Sequence, residues 1–478
     1  MSQPGPRVGQ VFVPGRLPEH TYNPRTARAL EQRVRDYLDE RGTILTVAGP
    51  TKTGKSVLLK QVVENPIWLE GQGITGPDAL YRRIGDGLNI YTNHTVGSEF
   101  SSETEGTAGS ELSIPMFLKV DAQGSRSASR SDMSSMSVER PLSMVLGKLI
   151  EAQRTLVIDD FHFVDRGVQR QLVRALKPAV LAGVPIVLVS ISHRAQDVVT
   201  AEPDMTGRVT ALDVAFWSIE ELIVIAEKGL AILNIVDANG IASRLAEQSY
   251  GSPHLMQQFC REVCKADNIR EPLSIRRQLA DPDNWAAFFR AQLDTASKDW
   301  FNRLLRGPQQ KGKTSRTIWN LKDGRQFDGY GLTLAAIAST GPKLNLTKDE
   351  ITTAVANQIV PPPPALHQTT RVLQHMSAIA AKRAVNTPDP DAPSADQGEE
   401  PEPDYIEDSQ GVPDVQPVLE YIEQGPTSTL HIADPFFAFY LKWGTETHLN
   451  GWVPPRKEDA DQMTLELPTE SDNSGGDS

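Results

Sequence analysis

Eight consecutive residues of this chain have the types and spacing that bind phosphate. They match the pattern G-x-x-x-x-G-K-[ST] at every fixed position. An apolar run at 43–48 precedes them and predicts a buried parallel strand, and helical spacing follows from Val57. Backbone amides in such a loop point at phosphate oxygens, and the helix N-terminus adds positive potential. The loop residues are Gly49, Pro50, Thr51, Lys52, Thr53, Gly54, Lys55 and Ser56.

Each fixed position of the loop has its own chemistry. The two glycines permit the backbone conformations and the close approach of a phosphate. Lys55 would reach the β- and γ-phosphates, and the Ser56 hydroxyl would ligate Mg²⁺. Lys52 occupies a variable position, where a solvated surface lysine is the simpler interpretation. The loop therefore predicts a site for a nucleotide with its magnesium ion.

A second apolar run ends in two acids about 100 residues after the loop, at Asp159 and Asp160. A buried parallel strand would place Asp159 at the sheet edge beside the loop, where it can hold Mg²⁺ directly or through water. Asp160 could orient or deprotonate the attacking water. A helix N-cap or a structural ion pair is the alternative for Asp160. His162, which follows, is interpreted as structural.

Two arginines adjoin later strands of the predicted sheet. A strand at 184–190 ends in a polar cluster that contains Arg194, a candidate sensor for the γ-phosphate. Arg208 precedes the last strand, Val209–Val214, and could enter a neighbouring subunit's site from the subunit edge. An ordinary surface arginine is an equal alternative at each position.

The segments around these motifs predict an α/β domain over residues 25–215 with a parallel sheet. Residues 1–24 are proline-rich and are expected to be irregular, and helical spacing follows over Thr26–Arg41. The segment Tyr22-Asn23-Pro24-Arg25 is a weak candidate for contact with a nucleotide base. Residues 95–139 are rich in Ser and Gly and predict an inserted hairpin or loop of unassigned role.

The rest of the chain predicts two helical domains. Ser218 and Glu221 form a capping-box start, and the helices of a lid domain are expected over 216–305. Three helical segments within 306–450 predict a winged helix, with its first wing strand at Ala378–Val385. An acidic insert at 386–424 would lie at the wing tip, and an acidic tail would cover 451–478. Pro253 follows a helix break and begins the next helix of the lid.

Composition limits the remaining possibilities. The net charge is −13, but residues 386–414 and 458–478 hold ten and seven acids without a Lys or Arg. The rest has a net charge of +4, which neither requires nor excludes nucleic acid. Cys260 and Cys264 read as buried small side chains and fit a reducing cytoplasm. We expect neither a signal peptide nor a membrane helix, and therefore a cytoplasmic protein.

In combination, these motifs resemble AAA+ ATPases of the STAND and origin-recognition-like branch, including the prokaryotic archaeal-type ATPases. The resemblance covers about residues 10–450 and includes Gly251-Ser252-Pro253 and the segment from Ile432 to Leu441. It implies that Lys55, Ser56 and Asp159 bind MgATP. Asp160 stands where many AAA+ proteins have Glu, which implies slow hydrolysis.

The resemblance also implies roles outside the metal site. It implies a sensor role for Arg194, a finger role for Arg208 and contact of Pro253 with the adenine or the closing lid. His254 stands where origin-recognition relatives often have an arginine, so a second sensor is not expected there.

Three hypotheses follow. The first is an ATP-dependent switch in which MgATP controls the lid, the winged helix and self-assembly into a homo-oligomer, with ADP as product and a separate effector protein as output. The second is a DNA-loading ATPase whose winged helix binds duplex DNA. The third is an interaction module that binds nucleotide without hydrolysis.

Overall fold

The computed structural model describes residues 5–90, 142–191, 207–308, 316–381 and 417–452. The predicted Ser/Gly-rich insertion and Arg194 lie outside the described residues, as do residues 382–416 and 453–478. No helix in the described part of the chain is long and apolar enough to cross a lipid bilayer.

A five-stranded parallel sheet is the centre of the N-terminal half. Its strands are β1 (Ile44–Ala48), β2 (Ile67–Glu70), β3 (Leu156–Asp159), β4 (Ile186–Ser190) and β5 (Val209–Asp213). The order is β2-β3-β4-β1-β5, with every neighbouring pair parallel. All residues of β1, β3 and β4 are buried, because helices cover both faces. The predicted parallel sheet is thus confirmed.

Helices pack on both faces of this sheet. Successive residues of a strand point alternately into the core on one face and the core on the other face. Leu156 and Ile158 of β3 belong to one apolar core, and Val157 belongs to the other. The described helices before β5 are α1 (Val8–Val11), α2 (Leu30–Glu40), α3 (Lys55–Val62), α4 (Pro77–Gly87), α5 (Leu142–Ala152) and α6 (Arg166–Leu181). Short 3-10 turns lie at Thr26–Arg28 and Phe161–Phe163.

Helix α2 begins later than predicted. Arg25 and Ala29 both adopt the left-handed backbone region, with φ of 51° and 49°. Two such residues interrupt a helical ladder, so Thr26–Arg28 forms a 3-10 turn and the α-helix starts at Leu30. Ala29 is exposed.

The N-terminal segment was expected to be irregular, but part of it is helical. It contains α1, whose Val8 and Val11 are buried together with Phe12 in the core of the lid. The Phe12 ring lies so close to Gly229 that a side chain at this glycine would overlap it. Residues 8–12 therefore belong to the lid by packing, although they precede the sheet in sequence.

The lid core, defined by the buried residues around Phe259, is built mainly from helices. They are α7 (Ile219–Ile232), α8 (Ile241–Gln248), α9 (Pro253–Ala266) and α10 (Trp285–Arg290), with the short parallel strands β6 (Ile235–Val236) and β7 (Arg277–Gln278). The predicted capping box is present, since Ser218 accepts from the Glu221 amide and the Glu221 side chain accepts from the Ser218 amide. The helix break before Pro253 is confirmed as well.

The C-terminal core has the arrangement of a winged helix. Its elements are α11 (Thr295–Arg306), β8 (Trp319–Asn320), β9 (Gln326–Phe327), α12 (Gly329–Ser339), β10 (Asn345–Thr347), α13 (Lys348–Gln358), α14 (Leu366–Ala380), β11 (Leu419–Ile422) and β12 (Thr429–Ile432). An antiparallel sheet in the order β10-β12-β11 closes against three helices. Helix α11, expected in the lid, packs Phe301 and Leu304 into this core instead.

The predicted position of the wing is wrong. Ala378–Val385 was expected to be its first strand, but α14 continues through Ala380 because the helical apolar spacing does not end before that residue. The wing consists of β11 and β12, with a 3-10 turn at Gly425–Thr427 between them. Residues 417–424 were placed in the acidic insert, yet four of them form β11. The described tip of the wing is the turn at Gly425–Thr427, and residues 382–416, which come between α14 and β11 in the sequence, lie outside the described residues.

One helix belongs to two cores. Helix α15 (Pro435–Trp443) buries Phe437 and Leu441 in the winged-helix core, and the short α16 (Thr445–Leu449) follows it. On its other side Phe439 lies in the lid core, 5.0 Å from the Phe259 ring. Because α15 completes both cores, the lid and the winged helix form one packed body.

Candidate nucleotide site

The phosphate-binding loop lies at the carboxyl edge of the sheet, between β1 and α3. Gly49 packs against the carbonyl oxygen of Val214, where a side chain would overlap the backbone. Gly54 has a φ of 91°, which is strained for any residue with a Cβ. Both fixed glycines are therefore required by geometry alone.

Lys55 begins α3 and is only 8% exposed. Its ammonium donates to the carbonyl oxygens of Gly49 and Pro50 at 2.8 and 2.7 Å. Burial lowers the pKa of Lys55 to about 8, although Asp160, Asp159 and Asp213 act in the opposite direction. A bound phosphate would add negative charge at this point and favour the ammonium form.

The two acids at the end of β3 occupy different positions. Asp159 is buried, and its carboxylate accepts a hydrogen bond of 3.0 Å from the amide of Asp160. Asp160 has a φ of 52° and lines the cavity beside the loop. Burial raises the pKa of Asp160 to about 6; Asp159 and Glu70 raise it further, and Lys55 lowers it. Asp160 is thus mostly ionised at neutral pH and takes up a proton in mild acid.

The residues of this edge fit a magnesium ion that is shared with phosphates. Ser56 lines the same cavity as Asp160. Asp159 does not line the cavity, but its carboxylate is hydrogen-bonded to the amide of Asp160. Among the described residues, no three His, Cys, Asp or Glu side chains form a closed metal cage. Phosphate-bound Mg²⁺ needs no such cage, because it keeps several waters and takes only one or two protein ligands.

A cleft of 290 Å³ lies over the loop. Its walls come from three distant parts of the chain: the loop and α3, the N-terminal segment, and the lid. The tertiary structure places Tyr22–Arg25 and Pro253 on these walls, so both are brought to the predicted site. His254 also lines the cleft, and burial lowers its pKa.

Arg25 and Trp217 join the loop to the start of the lid, a role that was not predicted. Arg25 is 4% exposed and donates to the carbonyl oxygens of Ala215 and Phe216, and it forms an ion pair of 2.9 Å with Glu221. Its guanidinium lies 4.9 Å from the Trp217 ring, whose indole N–H donates to the carbonyl oxygen of Thr53 at 2.8 Å. These partners lie almost 200 positions apart from Arg25, so no local pattern could reveal them.

The structure does not bring Arg208 to this cleft. Its carbonyl accepts from the amide of Ile44, at the amino end of β1. The five residues of β5 separate Arg208 from the carboxyl edge by about 16 Å at the usual rise per residue. Ile191, which follows β4, does line the cleft, but Arg194 lies outside the described residues.

Two acids near the site were missed. Asp213 ends β5 and raises the pKa of Lys55, and Glu70 ends β2 and raises the pKa of Asp160. A signal was present in the sequence, because each follows an apolar strand, as Asp159 does. The carboxyl ends of parallel strands share one edge of a sheet, so all of these acids converge there.

No known protein-family profile matches the chain, and no curated protein matches it. Among the solved structures to which this chain is similar are the following three. Cdc6p of Pyrobaculum aerophilum is 11% identical and has a TM-score of 0.38, with 92% of this chain and 97% of that one covered. The ORC2 protein of Aeropyrum pernix, in ADPNP–ADP complexes, is 10% identical with a TM-score of 0.43 and coverages of 92% and 98%. A Walker-type ATPase of Pyrococcus abyssi is 12% identical, with a TM-score of 0.44 and coverages of 86% and 94%.

Identities of 10–12% and TM-scores of 0.38–0.44 carry no conclusion about the family of this chain or about what it binds or hydrolyses. The roles of individual residues rest on the geometry of the cleft.

Proposed function

We propose that this chain is an ATP-binding, slowly hydrolysing switch. The observation that carries the proposal is the buried Lys55 at the floor of a cleft, with two neighbouring acids at the same sheet edge. Lys55 forms no ion pair with any described residue, so its burial as an ammonium is costly, and the polyphosphate of a nucleotide supplies negative charge in direct contact. The glycine-rich loop supplies the amides that such an anion needs.

Each residue of the cleft has a role in this proposal. The amides of residues 49–56 hold the phosphates, and Ser56 and Asp159 hold Mg²⁺, directly or through water. The metal supplies charge neutralisation for the phosphate oxygens. Asp160 orients the attacking water or accepts its proton, since it is ionised at neutral pH and faces the cleft. Pro253 and Tyr22–Arg25 lie where the base would enter.

The switch arises because the nucleotide lies between two packed bodies. The sheet contributes the loop, and the lid contributes Pro253 and Trp217. A ligand that binds one arrangement of these bodies more tightly shifts the population toward it. Since α15 fastens the winged helix to the lid, both would turn together. Assembly into a homo-oligomer would use Arg208, and a separate effector protein would receive the signal.

The test is binding of a fluorescent ATP analogue, followed by ATP hydrolysis with and without Mg²⁺. We expect Lys55→Ala to weaken binding about 100-fold or more, because it removes a charged partner of the phosphates. Lys60→Ala is the matched control on the exposed side of the same helix and should bind like the wild type. Unchanged nucleotide binding in Lys55→Ala would exclude the proposal.

The DNA-loading alternative stays a prediction without specific support. Helix α14 of the winged helix carries Arg371 as its only Lys or Arg, and its exposed Gln374 donates to Glu423. ATP hydrolysis that rises with duplex DNA and loses this rise at high salt would favour the alternative.

A further inference from the structure

Lys52 is exposed, as its variable position suggested, but its ammonium has defined partners. It lies in the phosphate-binding loop with a φ of 58° and lines the cleft. Its ammonium contacts both carboxylate oxygens of Asp434, at 3.1 and 3.0 Å. The same ammonium lies 4.0 Å from the centre of the Phe436 ring. The loop is thus tied directly to a residue 382 positions away.

The partner of Lys52 stands at the start of α15. Asp434 is the N-cap of this helix, and its carboxylate also accepts from the amide of Phe436 at 2.9 Å. Helix α15 completes both the lid core and the winged-helix core, and Trp443 at its end donates to Gln248 of the lid. The contact with Lys52 therefore attaches the loop to the whole body formed by the lid and the winged helix, and not merely to a surface loop.

The lid meets this contact from the side. His254 lies edge-on to the Phe436 ring, with 5.1 Å between the ring centres, and also lines the cleft. Three elements thus converge on Lys52: the phosphate-binding loop, the start of α9 and the start of α15. Asp434 and Phe436 are not among the described residues that line the cleft, so they approach Lys52 from outside it.

The ion pair is weak enough to be exchanged. The Lys52 and Asp434 side chains are 34% and 22% exposed, and partly exposed ion pairs are screened by water. A terminal phosphate in the loop carries more charge than one carboxylate and would lie on the cleft side of Lys52. A single ammonium can donate hydrogen bonds in only a few directions, so the carboxylate and the phosphate compete for it.

We propose that Asp434 competes with the terminal phosphate of a bound nucleotide for Lys52, so that triphosphate binding releases the lid and winged helix from the loop. This inference rests on the proposed function, because it assumes that the loop binds a nucleotide. It assigns the coupling between the site and the distant winged helix to one ion pair.

Measurements of nucleotide affinity distinguish the role of Asp434 from the role of Lys52. Asp434→Asn keeps the helix cap, since Asn caps as well as Asp, but removes the charge that competes. We expect this variant to bind a non-hydrolysable ATP analogue about three- to tenfold more tightly. Lys52→Gln loses both contacts and should show no gain, and adding Asp434→Asn to it should have no further effect. Asp294→Asn, the matched change at the N-cap of α11, should bind like the wild type.

The position of the winged helix is measured separately. Both native cysteines are buried, so spin labels can be attached at the exposed sites of Asp39→Cys and Thr447→Cys. Nucleotide-free Asp434→Asn should show the longer or broader label distances that the wild type shows only with the triphosphate. Unchanged affinity in Asp434→Asn overturns the competition, and unchanged distances overturn the release.

The outcome also distinguishes this inference from the function on which it rests. If the wild type binds no nucleotide, the proposed function fails. The distances in nucleotide-free Asp434→Asn still decide whether the ion pair holds the two bodies together.

Discussion

At the scale of single residues, Lys55 has a charge that depends on pH in the ordinary working range. Its pKa of about 8 means that the ammonium form dominates below pH 8 and is lost above it. A phosphate binds the ammonium form and raises its pKa again. We therefore expect ADP affinity to be steady below pH 8 and to fall by up to about tenfold per pH unit above it.

Fluorescence titration of a labelled ADP from pH 7 to 9.5 measures this slope. Lys55→Arg should remove it, since a guanidinium stays charged, while Lys60→Met should keep it. A flat profile in the wild type would contradict the assignment of Lys55 as the phosphate ligand.

Asp160 is the second residue whose protonation has a predictable effect. Its pKa of about 6 means that it is a carboxylate above pH 6 and neutral below it. If it accepts the proton of the attacking water, kcat/KM rises from pH 5 to 7 with a midpoint near 6. Asp160→Asn should lower kcat about 100-fold and leave nucleotide affinity within a few-fold, as for loss of a general base.

Steady-state hydrolysis across this pH range is the measurement. Asp165→Asn is the matched control, because Asp165 caps α6 nearby without lining the cleft. Unchanged turnover in Asp160→Asn would favour a module that binds nucleotide without hydrolysing it.

At the scale of elements, α15 decides how the C-terminal half behaves. Phe439 is 1% exposed and packs against Phe259 and Phe289 of the lid, although its helix also completes the winged helix. Truncation of a buried phenylalanine leaves a cavity, so Phe439→Ala should lower the free energy of unfolding by about 3–5 kcal/mol.

Urea unfolding measures this loss. Phe288→Ala, at a half-buried ring beside the same core, should cost clearly less. A lid and winged helix that unfold in two separate transitions in the wild type would contradict the single body inferred from α15.

At the scale of the whole molecule, Arg208 lies at the sheet edge opposite its own cleft. Because Arg208 lies about 16 Å from its own cleft, a role in hydrolysis requires the cleft of another copy of the chain. If it does, ATP hydrolysis per subunit should rise with protein concentration in the wild type. Arg208→Ala should abolish this rise and leave the hydrolysis of dilute protein unchanged. Arg33→Ala is a control at an exposed arginine that donates to Ala211 of the same strand. Hydrolysis independent of concentration would exclude the role.

The loop and the acid pair could be predicted because their geometry is local. Fixed spacing sets the strand, loop and helix around Lys55, and an apolar run ending in Asp159 must end at the same sheet edge. The wing could not be located in the same way. The alanine-rich stretch after Met376 suits a helix or a strand, and only its packing on the winged-helix core makes it a helix through Ala380.

The phosphate-binding loop, the sheet class and the order of sheet domain, lid and winged helix were determined by the sequence alone, because each depends on residues within one or two elements. Only the tertiary structure decided that residues 8–12 pack in the lid, that Arg25 and Trp217 join the loop to the lid, and that Lys52 pairs with Asp434. The partners of these contacts lie far apart in the chain. No spacing rule links such partners, so the packing of whole elements brings them together.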